Sequence, residues 1–240
     1  MIPAARPVAL ITGAAQRIGA VLANQLHQAG FRVVVHYNHS EAAATESVAA
    51  FNKLRANSAV ALSADLCSPS AVSFLLDATV AQWGRLDVIV NNASIFSRQD
   101  LDWERMWRCN VQAPYQLSHA AFPYLEATQG SIINITDVHA HTPLRGYAAY
   151  CQTKAALAMQ TRALSQEFAP SVRVNAIAPG AIMWPEGVNQ LDSTIQEKII
   201  TKTLLKRHGT PENIAQAMMY LVNNTYVTGQ SLQVDGGRHL

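Results

Sequence analysis

Short apolar runs alternate along this chain with longer stretches whose apolar positions recur at helical spacing. Pro7-Val8-Ala9-Leu10-Ile11 opens the pattern, and Ile18, Val21, Leu22 and Leu26 then fall on one face of a helix that Gly30 ends. A second apolar run, Phe31 to His36, follows at once. Further strands are expected near Ala59–Ala64, Leu86–Asn91, Ser131–Thr136, Val172–Ile177 and Ser231–Val234, with helices between most of them. Apolar strands separated by helices bury both faces of a sheet. The pattern therefore predicts an α/β fold, a single doubly wound parallel β-sheet with helices on both faces, spanning 1–240 as one domain. Residues Ala181 to Gly209 break the alternation before a regular helix and strand resume. With Trp184 and Pro185 near its start, this insertion is expected to be a substrate-binding lid.

In such a sheet, ligands sit beyond the carboxyl ends of the strands. Asp65 with Leu66, Asn91 and Asn92, Asp137, and Pro179-Gly180 all fall at predicted ends. The turn after the first strand reads Thr12-Gly13-Ala14-Ala15-Gln16-Arg17-Ile18-Gly19. Gly13 permits a tight turn and Gly19 close helix packing, so the helix N-terminus offers free N–H groups to a pyrophosphate. The second strand ends in His36-Tyr37-Asn38-His39-Ser40, without the acid that would accept from ribose hydroxyls. Donors at these positions, Ser40 capping a helix from Glu41, and the Arg17 guanidinium suit a 2′-phosphate, which points to NADP(H). Glu41 is a nearby acid and keeps the unphosphorylated cofactor open.

The stretch from Asp137 to Lys154 holds candidate chemistry. Asp137 follows the buried strand, and Tyr150 and Lys154 are four apart on the next helix, so their side chains share a face. A close ammonium favours a phenolate and would bring a tyrosine from its ordinary value of ~10 toward working range as a proton donor.

Composition removes other classes. With 240 residues, 49% hydrophobic and 14% charged, the chain has enough apolar material for a large core. The net charge of +2 forms no basic stripe interleaved with aromatics, so no nucleic-acid partner is expected. Cys67, Cys109 and Cys151 are widely spaced, which suggests reduced thiols in a cytoplasm, with neither a disulfide framework nor zinc spacing. His139 and His141 lack further ligands at suitable spacing, and no metal is expected. Neither a signal peptide nor a membrane span is visible, and a cytoplasmic location is expected.

Thr12-Gly13 with Gly19, Asn91-Asn92-Ala93, Tyr150 with Lys154, and Pro179-Gly180 occur in the order and spacing of the short-chain dehydrogenase/reductase family, which the chain resembles over nearly its whole length. That resemblance implies a Rossmann-like fold with Tyr150 as proton donor. Lys154 would also grip the nicotinamide ribose, and Asn110 would support a water path to Lys154. Pro114 adds a physical reason: it lacks an N–H, so the Asn110 carbonyl four residues earlier is free to accept from such a water. The implied dinucleotide site comprises Gly13, Arg17, Ile18, Gly19, His36 to Ser40, Asp65, Leu66, Asn92, Ala93, Ser94, Tyr150, Lys154, Pro179 and Gly180. A homotetramer built through the helices carrying Asn110 and Tyr150 is also implied.

Three departures narrow the resemblance. The family usually has Gly at the positions of Arg17 and Ser94, and Ser at that of Asp137. Together with Phe96 these resemble the pteridine reductases, and the ending Val234-Asp235-Gly236-Gly237-Arg238-His239-Leu240 resembles the dihydromonapterin reductases. An ionised carboxylate would repel the negative oxygen of carbonyl reduction. A reduced pterin instead presents ring N–H and amino donors, and its C=N bond takes a hydride at carbon and a proton at nitrogen. Asp137 can orient that ring and relay a proton through Tyr150, Phe96 can stack on it, Arg17 and Ser94 can donate to its edge, and Trp184 belongs to the lid. The expected activity is NADPH-dependent reduction of dihydrobiopterin, dihydromonapterin or dihydrofolate to the tetrahydro form. Two alternatives stay open: a reductase of an oxoacyl, steroid or sugar carbonyl, and a non-catalytic NADP(H)-binding regulator, against which intact Tyr150, Lys154 and Asn110 argue.

Overall fold

A computed structural model describes residues 6–98 and 102–240; the domain expected over 1–240 includes residues 1–5 and 99–101, which lie outside the described residues. The strands are β1 (Val8–Ile11), β2 (Arg32–Tyr37), β3 (Ala59–Ser63), β4 (Val88–Asn91), β5 (Ser131–Ile135), β6 (Arg173–Pro179) and β7 (Ser231–Val234). They form one parallel sheet in the order β3-β2-β1-β4-β5-β6-β7. Helices α1 (Arg17–Gln28), α2 (Glu41–Leu54), α3 (Ala71–Trp83), α4 (Trp103–Trp107), α5 (Ala113–Thr128), α6 (Ala148–Glu167), α7 (Ser193–Lys202) and α8 (Pro211–Asn223) fill the connections. Among the described residues no helix is long and apolar enough to cross a membrane.

Strand periodicity sorts each apolar run onto two faces. Ala9, Ile11, Val33 and Val35 pack with Leu22 and Leu26 of α1 and with Ile214, Met218 and Leu221 of α8. Val8, Leu10, Val34 and Ile89 turn the other way, against Leu75 of α3, Leu117 and Leu125 of α5, and Leu164 of α6. Each such buried Leu or Ile contributes roughly 1.5–3 kcal/mol through removal from water. This two-sided core is the reason the strands read as continuous apolar runs.

The order places β4 on the opposite side of β1 from β2. Ile11 is in register with both Val35 and Val90, so the turns after β1, β2 and β4 open together at the switch point.

Two local expectations change, at Ser40 and at Asn110. Ser40 does precede α2, but its hydroxyl makes no capping bond. The 181–209 insertion carries α7, whose start is capped by Asp192 accepting from Ile195 N–H at 2.8 Å. Asn110 lies in a π-helical turn, Arg108–Gln112, which links α4 to α5 and pairs Ala113 N–H with the Arg108 carbonyl. The wider turn accommodates Pro114, which has no N–H to give.

Candidate active site

The turns after β1 and β4 are stitched together. Thr12 Oγ1 accepts from Asn92 N–H and Ala93 N–H, each at 3.0 Å, and the Asn92 amide donates to the Thr12 and Gly13 carbonyls, each at 2.9 Å. Gly13 has φ +61°, and a Cβ there would lie 3.0 Å from Ala93 Cα. A Cβ on Gly19 would meet the Gly13 carbonyl oxygen at 2.1 Å, so only glycine lets α1 begin against this turn.

Over this helix start lies a cavity of about 480 Å³, lined by Gly13, Arg17 to Gly19, His36 to Ser40, Asp65, Leu66 and Asn92 to Ser94. The start of α1 has no side-chain cap and no acid in its first turn, so its N–H donors suit an anionic pyrophosphate. The residues therefore fit a dinucleotide. Tyr150, Lys154, Pro179 and Gly180 line instead an adjoining cavity of about 430 Å³, which shares Arg17, Ile18, Asn92 and Ser94 with the first.

Two residues expected at a 2′-phosphate are engaged elsewhere. His36 is 2% exposed; its Nδ1 accepts from Gly13 N–H at 3.0 Å and its Nε2 lies 3.0 Å from the Ala64 carbonyl. Burial lowers its pKa, against the opposing bond to Ala64, so the neutral ring braces the glycine turn and has no free donor for phosphate. Arg17 adopts φ +55° and sends Nη1 to Glu186 Oε1 at 2.5 Å and Nη2 to the Trp184 carbonyl at 2.9 Å. It ties the glycine turn to the insertion. Exposed His39 and Asn38, with Ser40, remain at the cavity rim.

Three catalytic candidates, Asp137, Tyr150 and Lys154, converge in the second cavity. Asp137 caps a single 3-10 turn, Val138–Ala140, through Oδ1 accepting from His139 N–H at 2.8 Å. Its Oδ2 accepts from the Tyr150 hydroxyl at 2.8 Å. Lys154 Nζ donates to the Ile135 carbonyl at 2.9 Å and stands 5.7 Å from the centroid of the Tyr150 ring. The expected lowering of the tyrosine pKa does not occur. Burial, followed by the Asp137 carboxylate, raises it well above the ordinary value. Burial also lowers Lys154 to about 8, with Asp137 opposing.

Asn110 lines neither cavity. Its fully buried amide donates to the Ile95 carbonyl at 2.9 Å and to Thr153 Oγ1 at 3.1 Å, and accepts from Ile95 N–H at 2.8 Å. It thereby fixes the Ser94–Phe96 segment to the helix that carries Tyr150.

Phe96 and Trp184 both line the second cavity. Phe96 does not offer two free faces: it stacks on Tyr147 at 4.4 Å and meets Tyr150 edge-on at 4.7 Å. Tyr147 also bonds Asn189 Oδ1 at 3.2 Å, while the Asn189 amide donates to the Phe96 carbonyl at 2.9 Å. This second tie holds the insertion to the site, alongside Arg17 and Glu186.

Sequence reasoning missed Glu186, Tyr147, Asn189 and Arg238. Arg238 lines the cavity and faces the charges of Asp137 and Asp235, which oppose the lowering of its pKa by burial. Its position just after β7 is a readable signal, since ligands in such a sheet sit beyond the carboxyl ends of the strands.

The protein-family model described as enoyl-(acyl carrier protein) reductase matches residues 13–239. A Streptomyces violaceoruber protein named as a ketoacyl reductase of granaticin polyketide synthase is 36% identical, over 98% of this chain and 96% of its own. Pteridine reductase 1 of Leishmania tarentolae is 33% identical, over 98% of this chain and 96% of its own. Dihydromonapterin reductase of Klebsiella pneumoniae is 34% identical, over 98% and 97% respectively. With the parallel sheet, the glycine turn and the Tyr150–Lys154 helix, these similarities identify the chain as an oxidoreductase belonging to the short-chain dehydrogenase/reductase family.

Proposed function

We propose that this protein reduces a dihydropterin to its tetrahydro form with NADPH, working as a cytoplasmic homotetramer. The observation that carries the reading is the 2.8 Å bond from the Tyr150 hydroxyl to Asp137 Oδ2. Each oxygen of Asp137 already accepts one bond, and each retains acceptor capacity for the N–H and amino groups of a pterin edge. A carbonyl substrate would bring its developing oxyanion against the same carboxylate, an unfavourable encounter in a buried site. The relatives named as pteridine reductase 1 and dihydromonapterin reductase support the same substrate class.

A bound nicotinamide dinucleotide supplies the hydride. The chain supplies the proton and the charge balance. The raised pKa of Tyr150 keeps its proton on the phenol at neutral pH, in the bond to Asp137. Passing that proton to the ring nitrogen leaves negative charge between Tyr150 and Asp137. Lys154 beneath the phenol ring and Arg238 facing Asp137 stabilise that charge. The Arg17–Glu186 and Tyr147–Asn189 ties hold the insertion over the cavity and limit water entry.

Asp137→Ser tests the reading. Dihydropterin turnover should fall while reduction of simple ketones holds or improves, because serine restores an oxyanion donor. Intact dihydropterin turnover in the folded variant would overturn the role of Asp137. The 36% identity to a ketoacyl reductase favours the alternative of a carbonyl substrate, which a native preference for oxoacyl substrates over every dihydropterin would support. The tetramer is checked by light scattering at micromolar concentration, where a monomer would reject it.

A further inference from the structure

Cys67 and Cys109 are unused by this chemistry, yet both line the dinucleotide cavity. Cys67 stands in the turn after β3, where its N–H donates to Asp65 Oδ1 at 3.0 Å. Its Sγ lies 3.6 Å from the carbonyl of Arg105. Cys109 is four residues further along the same helical segment, one turn on from the carbonyl that Cys67 Sγ approaches, and it lines the same cavity. Cys67 packs against the buried cluster that contains Cys109, and it is the more exposed of the two.

We propose that Cys67 and Cys109 form a redox-active thiol pair that a hydroperoxide closes to a disulfide, disabling the dinucleotide cavity from within. The two sulfurs are chemically unequal. Neighbouring Cys109, with Arg105 assisting, lowers Cys67 to about 7 against its own burial, while Cys67 and burial push Cys109 up. At neutral pH a large fraction of Cys67 is thiolate, the form that attacks.

The Cys67 thiolate attacks one oxygen of hydrogen peroxide; the O–O bond breaks, an S–O bond forms, and the departing hydroxide leaves as water after taking a proton. The Cys109 sulfur then attacks the Cys67 sulfenic acid. An S–S bond forms, the S–O bond breaks, and a second water carries away the Cys109 proton. Two thiols lose two electrons in total, and one peroxide becomes two waters. The disulfide draws the Asp65–Cys67 turn against the helix and alters the wall of the cavity. A dinucleotide in the cavity covers Cys67 and slows its oxidation. This proposal rests on the dinucleotide assignment and is independent of the pterin reading.

The test treats the cofactor-free protein with hydrogen peroxide at pH 7, counts thiols after denaturation and maps the peptides. Free thiols should fall from three to one, with Cys67 joined to Cys109 and Cys151 untouched. Affinity for NADPH should drop by roughly 5- to 150-fold, the usual span of coupling between two sites, and dithiothreitol should restore it. Saturating NADP⁺ should slow the reaction. Cys109→Ser should leave a sulfenic acid on Cys67 that dimedone traps, and Cys67→Ser should protect Cys109. A thiol count that stays at three, a disulfide that includes Cys151, or unchanged NADPH affinity in the oxidised protein would overturn the proposal, and the wild-type measurements decide this without either variant.

Discussion

Arg17 and Glu186, 169 positions apart in sequence, meet at 2.5 Å, so the glycine turn of the dinucleotide site is bonded directly to the insertion over the second cavity. Their side chains are 37% and 79% exposed, a setting in which an ion pair contributes little to stability. Its effect should therefore fall on the insertion. Glu186→Gln is expected to cost under about 1 kcal/mol in denaturant unfolding, while trypsin cleavage after Lys198 or Lys202 accelerates and KM for the second substrate rises more than kcat changes. Equal proteolysis rates in the two proteins would show that the pair does not restrain the insertion.

Cofactor preference separates His39 from His36. If His39 and Ser40 meet a 2′-phosphate, NADPH should bind more tightly than NADH, with a preference that weakens as salt rises. His39→Gln should reduce it. His36→Ala should weaken both cofactors alike, because the neutral ring supports the Gly13 turn and contributes no charge. Calorimetric titrations giving the wild type equal affinities for both cofactors would remove the phosphate assignment.

Tyr150→Phe deletes the proton donor and leaves the buried ring, so turnover is expected to fall by roughly 10²–10⁴-fold while NADPH still binds. Phe96→Ala should act on binding instead. Loss of the Tyr147 stack and of the cavity wall should raise KM by roughly 2- to 10-fold, in keeping with about 0.5–1.5 kcal/mol for an aromatic pair. A steady-state comparison in which Phe96→Ala lowers kcat as steeply as Tyr150→Phe would contradict this division of roles.

Lys154 ties the fold to pH. Its folded pKa of about 8 lies below the unfolded value of ~10.4, so the unfolded chain binds its proton more tightly. The resulting cost is fully present below about pH 8 and is relieved as pH rises from there toward ~10.4. Relative to Lys154→Met, the cofactor-free wild type should gain on the order of 1 kcal/mol between pH 7 and pH 9 in denaturant unfolding. A constant difference across that range would mean that the buried amine is not depressed.

Much of the fold was readable from the chain because the strands of a two-sided parallel sheet are continuous apolar runs, and Val8–Ile11, Ser131–Ile135 and Ser231–Val234 fall within a residue or so of expectation. Gly13 and Gly19 were legible for a similarly local reason: a positive φ and a close backbone contact exclude any Cβ. Tyr150 and Lys154 share a helix face by spacing alone, and Asp137 is placed at a strand end by the run before it. Local pattern was sufficient wherever backbone geometry over a few residues settled the matter.

Tertiary structure decided what those side chains touch. Only the folded chain sets the Asp137 carboxylate against the Tyr150 hydroxyl in a buried site, which reverses the expected direction of the phenol's pKa. It turns His36 inward, where burial makes it a brace, and directs Arg17 to Glu186 across the molecule. It also brings Cys67 and Cys109 to one wall of the dinucleotide cavity. Burial and long-range pairing fix charge states and hydrogen-bond partners, and neither is a property of a short stretch of sequence.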